Sequence, residues 1–164
     1  VLPPDLRNPT GALAVLNRLT QKAAMRLRKQ NVYATAMSVH VRSRQASGGH
    51  VGDERAAQVG ETQDTAFLLH TLDTLWHSGL HRWPKPVSVG VQLHGLVPAV
   101  QHTPDLFAST TAPVKDRRKL MAAIDALNGK HGKNTVYFAS AQAGLDHAPM
   151  RIAFNRIPDL ASER

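Results

Sequence analysis

Apolar and polar residues alternate along this chain with a period that changes from block to block, and each change marks a new element. Leu13, Leu16, Leu19, Ala23 and Leu27 recur at spacings of three and four through about Lys29, which predicts an amphipathic helix. Asn8 followed by Pro9 supplies its start. An asparagine side chain can accept a backbone amide hydrogen, and a proline in the first turn gives up a donor that has no helical partner. Residues 32–44 then switch to period two. Tyr33, Thr35, Met37, Val39 and Val41 take one face of a strand, and Ser38, His40, Arg42 and Arg44 take the other. Ala46-Ser47-Gly48-Gly49 predicts a turn, and residues 50–59 its short polar hairpin partner.

Thr62 is placed to cap a second helix, with Leu68, Leu69, Leu72, Leu75 and Trp76 as its buried stripe and Gly79 as its stop. Beyond the Trp83-Pro84 and Lys85-Pro86 breaks, Val87, Val89, Val91 and Leu93 alternate with Ser88, Gly90, Gln92 and His94, a second half-buried strand that Pro98 ends. A third helix is expected near residues 113–131 with Leu120, Ile124 and Leu127 turned inward, then a last strand at residues 134–140. Residues 143–164 read as a tail with apolar positions at Ile152, Phe154 and Ile157, leaving residues 1–142 as the folded domain. The predicted class is α+β: an antiparallel sheet of about four strands, helices packed on one face, the other face open.

Composition narrows the class without changing it. At 164 residues the chain is one domain with attachments. Its 42% apolar and 20% charged residues exclude a disordered or low-complexity chain. No stretch approaches the ~20 apolar residues of a membrane span, and no signal-like segment opens the chain. The absence of cysteine removes disulfides, thiol catalysis and thiolate zinc sites, and points to an intracellular setting. Val1 stands where a start methionine would, so the chain is expected to be part of a longer protein.

Charge changes the picture more. The net charge of +8 is concentrated at the ends: residues 1–44 hold eight cations against Asp5 alone, and residues 113–164 hold nine against five acids. Clustered Lys and Arg favour a polyanionic partner, because they raise the local potential and release counterions from phosphates. A positive surface that merely keeps the protein in solution explains the same charge.

Catalytic chemistry finds little footing. His77 and His81 lie four apart, as two helix-borne ligands would, but Gly79 interrupts the helix between them and no third ligand is near, so no metal site is expected. Gly49-His50-Val51-Gly52 fits the G-x-x-G loop of some RNA-binding domains, yet falls between strands and reads as a turn. Phosphate-binding loops, dinucleotide turns and nucleophile elbows are missing, and Asp53-Glu54 is the only adjacent acidic pair. The fragment is expected to have no catalytic centre and no cofactor. An RNA-stacking sheet would display aromatic rings outward, and only Tyr137 offers one, so contact with a nucleic-acid backbone is favoured over base stacking.

V-L-P-P-D-L-R at residues 1–7, K-A-A-M-R-L-R at residues 22–28, T-Q-D-T at residues 62–65, V-S-V-G-V at residues 87–91 and A-A-I-D-A-L-N-G-K-H-G at residues 122–132 together resemble the C-terminal part of Y-family translesion DNA polymerases. That part is the little-finger, or polymerase-associated, domain followed by a C-terminal extension. The resemblance implies a four-stranded sheet backed by two helices, its open face lying along the DNA major groove and gripping phosphates beside the template. Residue by residue it implies DNA contacts from Arg42 and Arg44, from Arg55 in the hairpin partner, and from Ser88 and Gln92, with Lys85 taking over where those two are weak; Ser38 and His40, outward on the same strand as Arg42, are expected to join them. Ser88 and Gln92 depart from the pattern, since family members often carry cations there. The family's catalytic D-x-D and S-x-D-E carboxylates are absent, so polymerase activity and its Mg would belong to the parent protein. A bacterial cytoplasmic, nucleoid-associated location goes with the resemblance.

The resemblance carries two further expectations. The family sheet begins with a strand ahead of the first helix, which leaves a central slot here to be filled by residues 134–140 or by a second copy. Thr103-Pro104-Asp105-Leu106-Phe107 resembles a sliding-clamp peptide of the form Q-x-x-L-F, with Pro104, Asp105, Leu106 and Phe107 as clamp contacts. Threonine replaces its glutamine, and Gln101 stands two residues too early. Two functions remain at this point: a DNA-gripping module of a lesion-bypass polymerase, or a protein-interaction domain that recruits a replication or repair partner.

Overall fold

The computed structural model describes residues 1–102, 117–132 and 135–144. Helix α1 spans Pro9–Lys29, and the side chain of Asn8 accepts from the Gly11 amide at 2.8 Å, as the Asn-Pro start implies. Asn31, at φ 54°, turns the chain into strand β1, Val32–Gln45. Strand β2, Gly49–Thr62, returns antiparallel beside it, four residues longer than residues 50–59. Helix α2, Thr65–His77, then leads to β3, Pro86–His94, and the two-residue β4, Val97–Pro98. Helix α3 spans Arg118–His131.

The sheet order is β2-β1-β3, with β4 pairing β1 on the same side as β3. All pairings are antiparallel. Met37, Val39 and Val41 on β1 are fully buried with Leu16 of α1 and with Leu68 and Leu72 of α2, so the period-two pattern holds from Met37 onward; ahead of it Ala34 is the residue buried in the core, and Tyr33, expected to share the inward face, instead stacks on His102. Helices cover that face of the sheet, and the architecture is the α+β class the pattern implies. Near Ala34 the pairing slips: Ala34 faces Thr62 while Ala36 faces Gln58, so β2 carries two extra residues around Gly60, whose φ of 62° suits a glycine.

Four expectations change. The cap of α2 is Asp64, whose carboxylate accepts from the amides of Ala66 at 2.8 Å and Phe67 at 3.3 Å, while the hydroxyl of Thr62 accepts from the Asp64 amide one step upstream. A carboxylate with two acceptor oxygens at the positive end of a helix outcompetes a hydroxyl. Second, no strand forms over the described residues 135–140. Residues Ala139–Gly144 form a 3-10 turn against α1, where Gln21 holds both backbone polar groups of Phe138 and Arg18 donates to the Gly144 carbonyl at 3.0 Å. Side-chain amides of α1 thus satisfy backbone that a sheet would otherwise pair.

Third, the sheet lacks a central gap. Strand β1 is flanked on both sides, and the Leu2 amide donates to the Val87 carbonyl at 2.7 Å on the outer edge of β3, so the place beside the N-terminal residues is an edge. Fourth, α3 is rotated from its expected facing. Met121 is buried, Ile124 is half-buried, and Leu120 and Leu127 are 52% and 44% exposed. Ion pairs set that rotation: Arg28 donates to both carboxylate oxygens of Asp125, at 2.6 and 2.9 Å, and Arg117 pairs with Asp64 at 3.0 Å.

Candidate nucleic-acid interface

Residues directly opposite one another on neighbouring strands share a face of the sheet. Met37, Val39 and Val41 point to the helices, so their neighbours on β1 point outward. Ser38, His40 and Arg42 stand opposite Gln92, Gly90 and Ser88 of β3. Together with Arg44 they make one surface that no described element covers, and six of the eight DNA contacts expected from the sequence meet there. On the other flank Arg42 and Arg44 stand opposite Gly52 and His50 of β2, and His40 stands opposite Glu54.

Local packing decides what each can offer. The His40 ring lies across Gly90, where a Cβ would overlap it, and the stem of Arg42 passes within 3.0 Å of the place a Cβ would take at Gly52. These glycines let the long side chains lie along the sheet. Ser38 is only 3% exposed, and its hydroxyl sits 3.0 Å from Nε2 of His94. It orders the centre of the face and is not itself open to a ligand. Arg42 and Arg44 are exposed. Lys85 is exposed just before β3, and its carbonyl accepts from the Ser43 hydroxyl at 2.5 Å, which ties the β3 entry to β1.

Arg55 does not join them. It stands opposite Val39, an inward residue, and so lies on the helical side of the sheet. There it pairs with Asp53 at 2.5 Å, its guanidinium 3.4 Å from where a Cβ at Gly79 would sit. Its charge is therefore spent on Asp53 and directed away from the open face. The four-residue turn expected at residues 46–49 would set residue 55 opposite residue 40 on the open face, whereas the observed three-residue turn, with Gln45 opposite Gly49, sets it opposite residue 39.

Sequence reasoning missed several residues of this surface. His50, Glu54 and His94 belong to it, the first two because the observed hairpin turn is one residue shorter than the turn expected at residues 46–49. Arg7 was also missed. It precedes α1, its Nε donates to the Leu2 carbonyl at 3.0 Å, and it shares a concavity of about 600 Å³ with Arg42, Arg44 and His50 at one corner of the sheet. Nothing local in the sequence connects residue 7 with residues 42–50. Over the stretch where Ala36–Gln45 pair with Gly49–Gln58, Glu54 is the one acid on the outward side, beside Arg42, Arg44 and His50, so the field there is positive. Arg18, by contrast, is buried behind the sheet at 5% exposure. Pro104, Asp105, Leu106 and Phe107 lie outside the described residues.

An open antiparallel sheet with a polar, cationic outer face and two helices behind it defines a little-finger domain. Residues 1–106 match the impB/mucB/samB family C-terminal domain, and residues 118–151 match a domain of unknown function, DUF4113. The chain belongs to the impB/mucB/samB family: it is a Y-family polymerase little-finger domain, a type that typically binds DNA, with a DUF4113 extension. No curated protein matches the chain. Among the described residues no helix is long and apolar enough to cross a membrane.

Proposed function

We propose that this domain grips the backbone of primer-template DNA for a lesion-bypass polymerase, using the open face of its sheet. The observation that carries the reading is the strand register, which gathers Arg42, Arg44, His40, Ser88 and Gln92 on one surface that no described element covers. Arginine forks bind phosphate oxygens and displace counterions, and such contacts fix the protein on a duplex without reading sequence. Ser88 and Gln92 are neutral, so the charge of the grip comes from Arg42, Arg44 and Lys85. A grip of this kind suits an enzyme that must advance over any template, while the Mg-dependent chemistry belongs to the palm of the parent polymerase.

Anisotropy of a labelled primer-template, titrated with the protein over a series of salt concentrations, tests the proposal. Neutralising about three to five phosphates gives a slope of log K against log salt near −3 to −5. A slope near zero, or no binding at low salt, overturns the reading and leaves a protein-recruiting domain whose charge is incidental. The resemblance adds a sliding clamp as a second partner, through Leu106 and Phe107. Titration of a bacterial sliding clamp with the wild-type chain and with a Leu106→Ala, Phe107→Ala double variant tests that contact. Equal binding by both, or none by either, removes it.

A further inference from the structure

The concavity at the sheet corner has features that the flat face lacks. It forms where the β1–β2 hairpin, the entry to β3 and residues 1–7 meet, and at about 600 Å³ it is on the scale of sites that hold small ligands. Arg7, Arg42, Arg44 and His50 make its polar side, and Val1, Val51 and Val87 make its apolar side. No carboxylate is among the described residues that line it. Arg7 is held in place through its Nε bond to the Leu2 carbonyl, and Leu2 is itself bonded to Val87 at the edge of β3. The three guanidiniums therefore come from two separate parts of the chain, brought to one notch by the fold.

We propose that this notch binds a phosphomonoester, the 5′-terminal phosphate of a DNA strand, with its nucleoside against the valines. The proposal rests on the DNA-binding reading and deepens it. A phosphodiester inside a strand carries one charge, and the strand must leave the site at both ends. A terminal phosphate carries about −1.5 to −2 near neutral pH and offers three oxygens, which suits several guanidinium forks and an imidazole converging on one place. The split between cationic and apolar walls also matches a nucleotide end better than a continuous backbone.

The test uses the full chain and one duplex in three forms: 5′-phosphorylated, 5′-hydroxyl, and closed at both ends by hairpin loops. The wild-type protein should bind the phosphorylated duplex about tenfold more tightly than the hydroxyl form, the size of one good charge-assisted contact. Arg7→Ala should abolish that difference, and an unfolding midpoint like that of wild type shows that the variant is folded. Loss of the difference on adding dAMP, but not an equal concentration of inorganic phosphate, supports a site for any nucleotide 5′-phosphate. Persistence of the difference against both supports a site reserved for strand ends. Equal affinity of wild type for phosphorylated and hydroxyl duplexes, each with a normal salt slope, overturns the notch and leaves the sheet reading intact. Absence of binding to all three forms overturns both.

Discussion

Arg42 lies out in solvent with its stem across Gly52, and Arg55 lies on the helical side beside Asp53. The difference sets opposite expectations for two variants of identical chemistry. Arg42→Ala should weaken binding to all DNA sequences alike and reduce the salt slope by about one. Arg55→Ala should leave the slope unchanged, and equal losses for the two in parallel anisotropy titrations would mean that the helical side also touches DNA. Glycines are a second residue-scale constraint. A Cβ at Gly52 would run into the carbonyl oxygen of Val41, backbone that cannot turn aside, whereas a Cβ at Gly90 would meet only the His40 ring, which can. Gly52→Ala should therefore destabilise the domain by about 1–3 kcal/mol in urea unfolding. Gly90→Ala should cost less and show itself as a displaced His40 resonance.

At the scale of elements, the extension is joined to the little finger by contacts between residues far apart in the chain. Arg28, in the last turn of α1, donates to Asp125 of α3, to the Gln63 carbonyl at 2.9 Å and to the Thr65 hydroxyl at 2.9 Å, so one guanidinium joins three elements. Its side chain is 15% exposed and that of Asp125 is 26% exposed, which removes much of the solvent screening that makes surface pairs weak. A double-mutant cycle with Arg28→Ala and Asp125→Ala should give a coupling of about 1–3 kcal/mol in chemical denaturation. A coupling near zero would mean that apolar contacts around Met121 hold α3 instead. Asp64 has two duties, as cap of α2 and as partner of Arg117. Asp64→Ala should cost about 1–2 kcal/mol, measured by thermal unfolding. From sequence alone the cations at the end of α1 are adequately explained by the helix dipole. That explanation is true for the turn and incomplete for Arg28, because its partner is 97 positions away.

At the scale of the whole molecule, the proposed DNA contact uses the open side of the sheet, and the described part of the extension packs on α1 behind it. The two should be separable: Asp125→Ala should lower the unfolding midpoint yet leave primer-template affinity and its salt slope as in wild type. A parallel fall in affinity would show that the extension shapes the DNA face through α1. The elements themselves, α1 with its Asn-Pro start, the alternation of β1 and β3, and α2, were determined by local sequence, because period and capping depend only on residues a few positions apart. So was the family, through short motifs in a fixed order. What tertiary structure decided was every relation between elements. Register moved Arg55 off the open face, since a strand residue takes the side of its cross-strand partner whatever its charge. Gln21 and Arg18 drew residues 138–144 onto α1 and away from any sheet, since buried backbone groups pair with the nearest good partner. Arg7 reached Arg42 and Arg44 only because chain closure at the edge of β3 brings residue 2 to residue 87, and a contact made across 85 positions leaves no trace in local pattern.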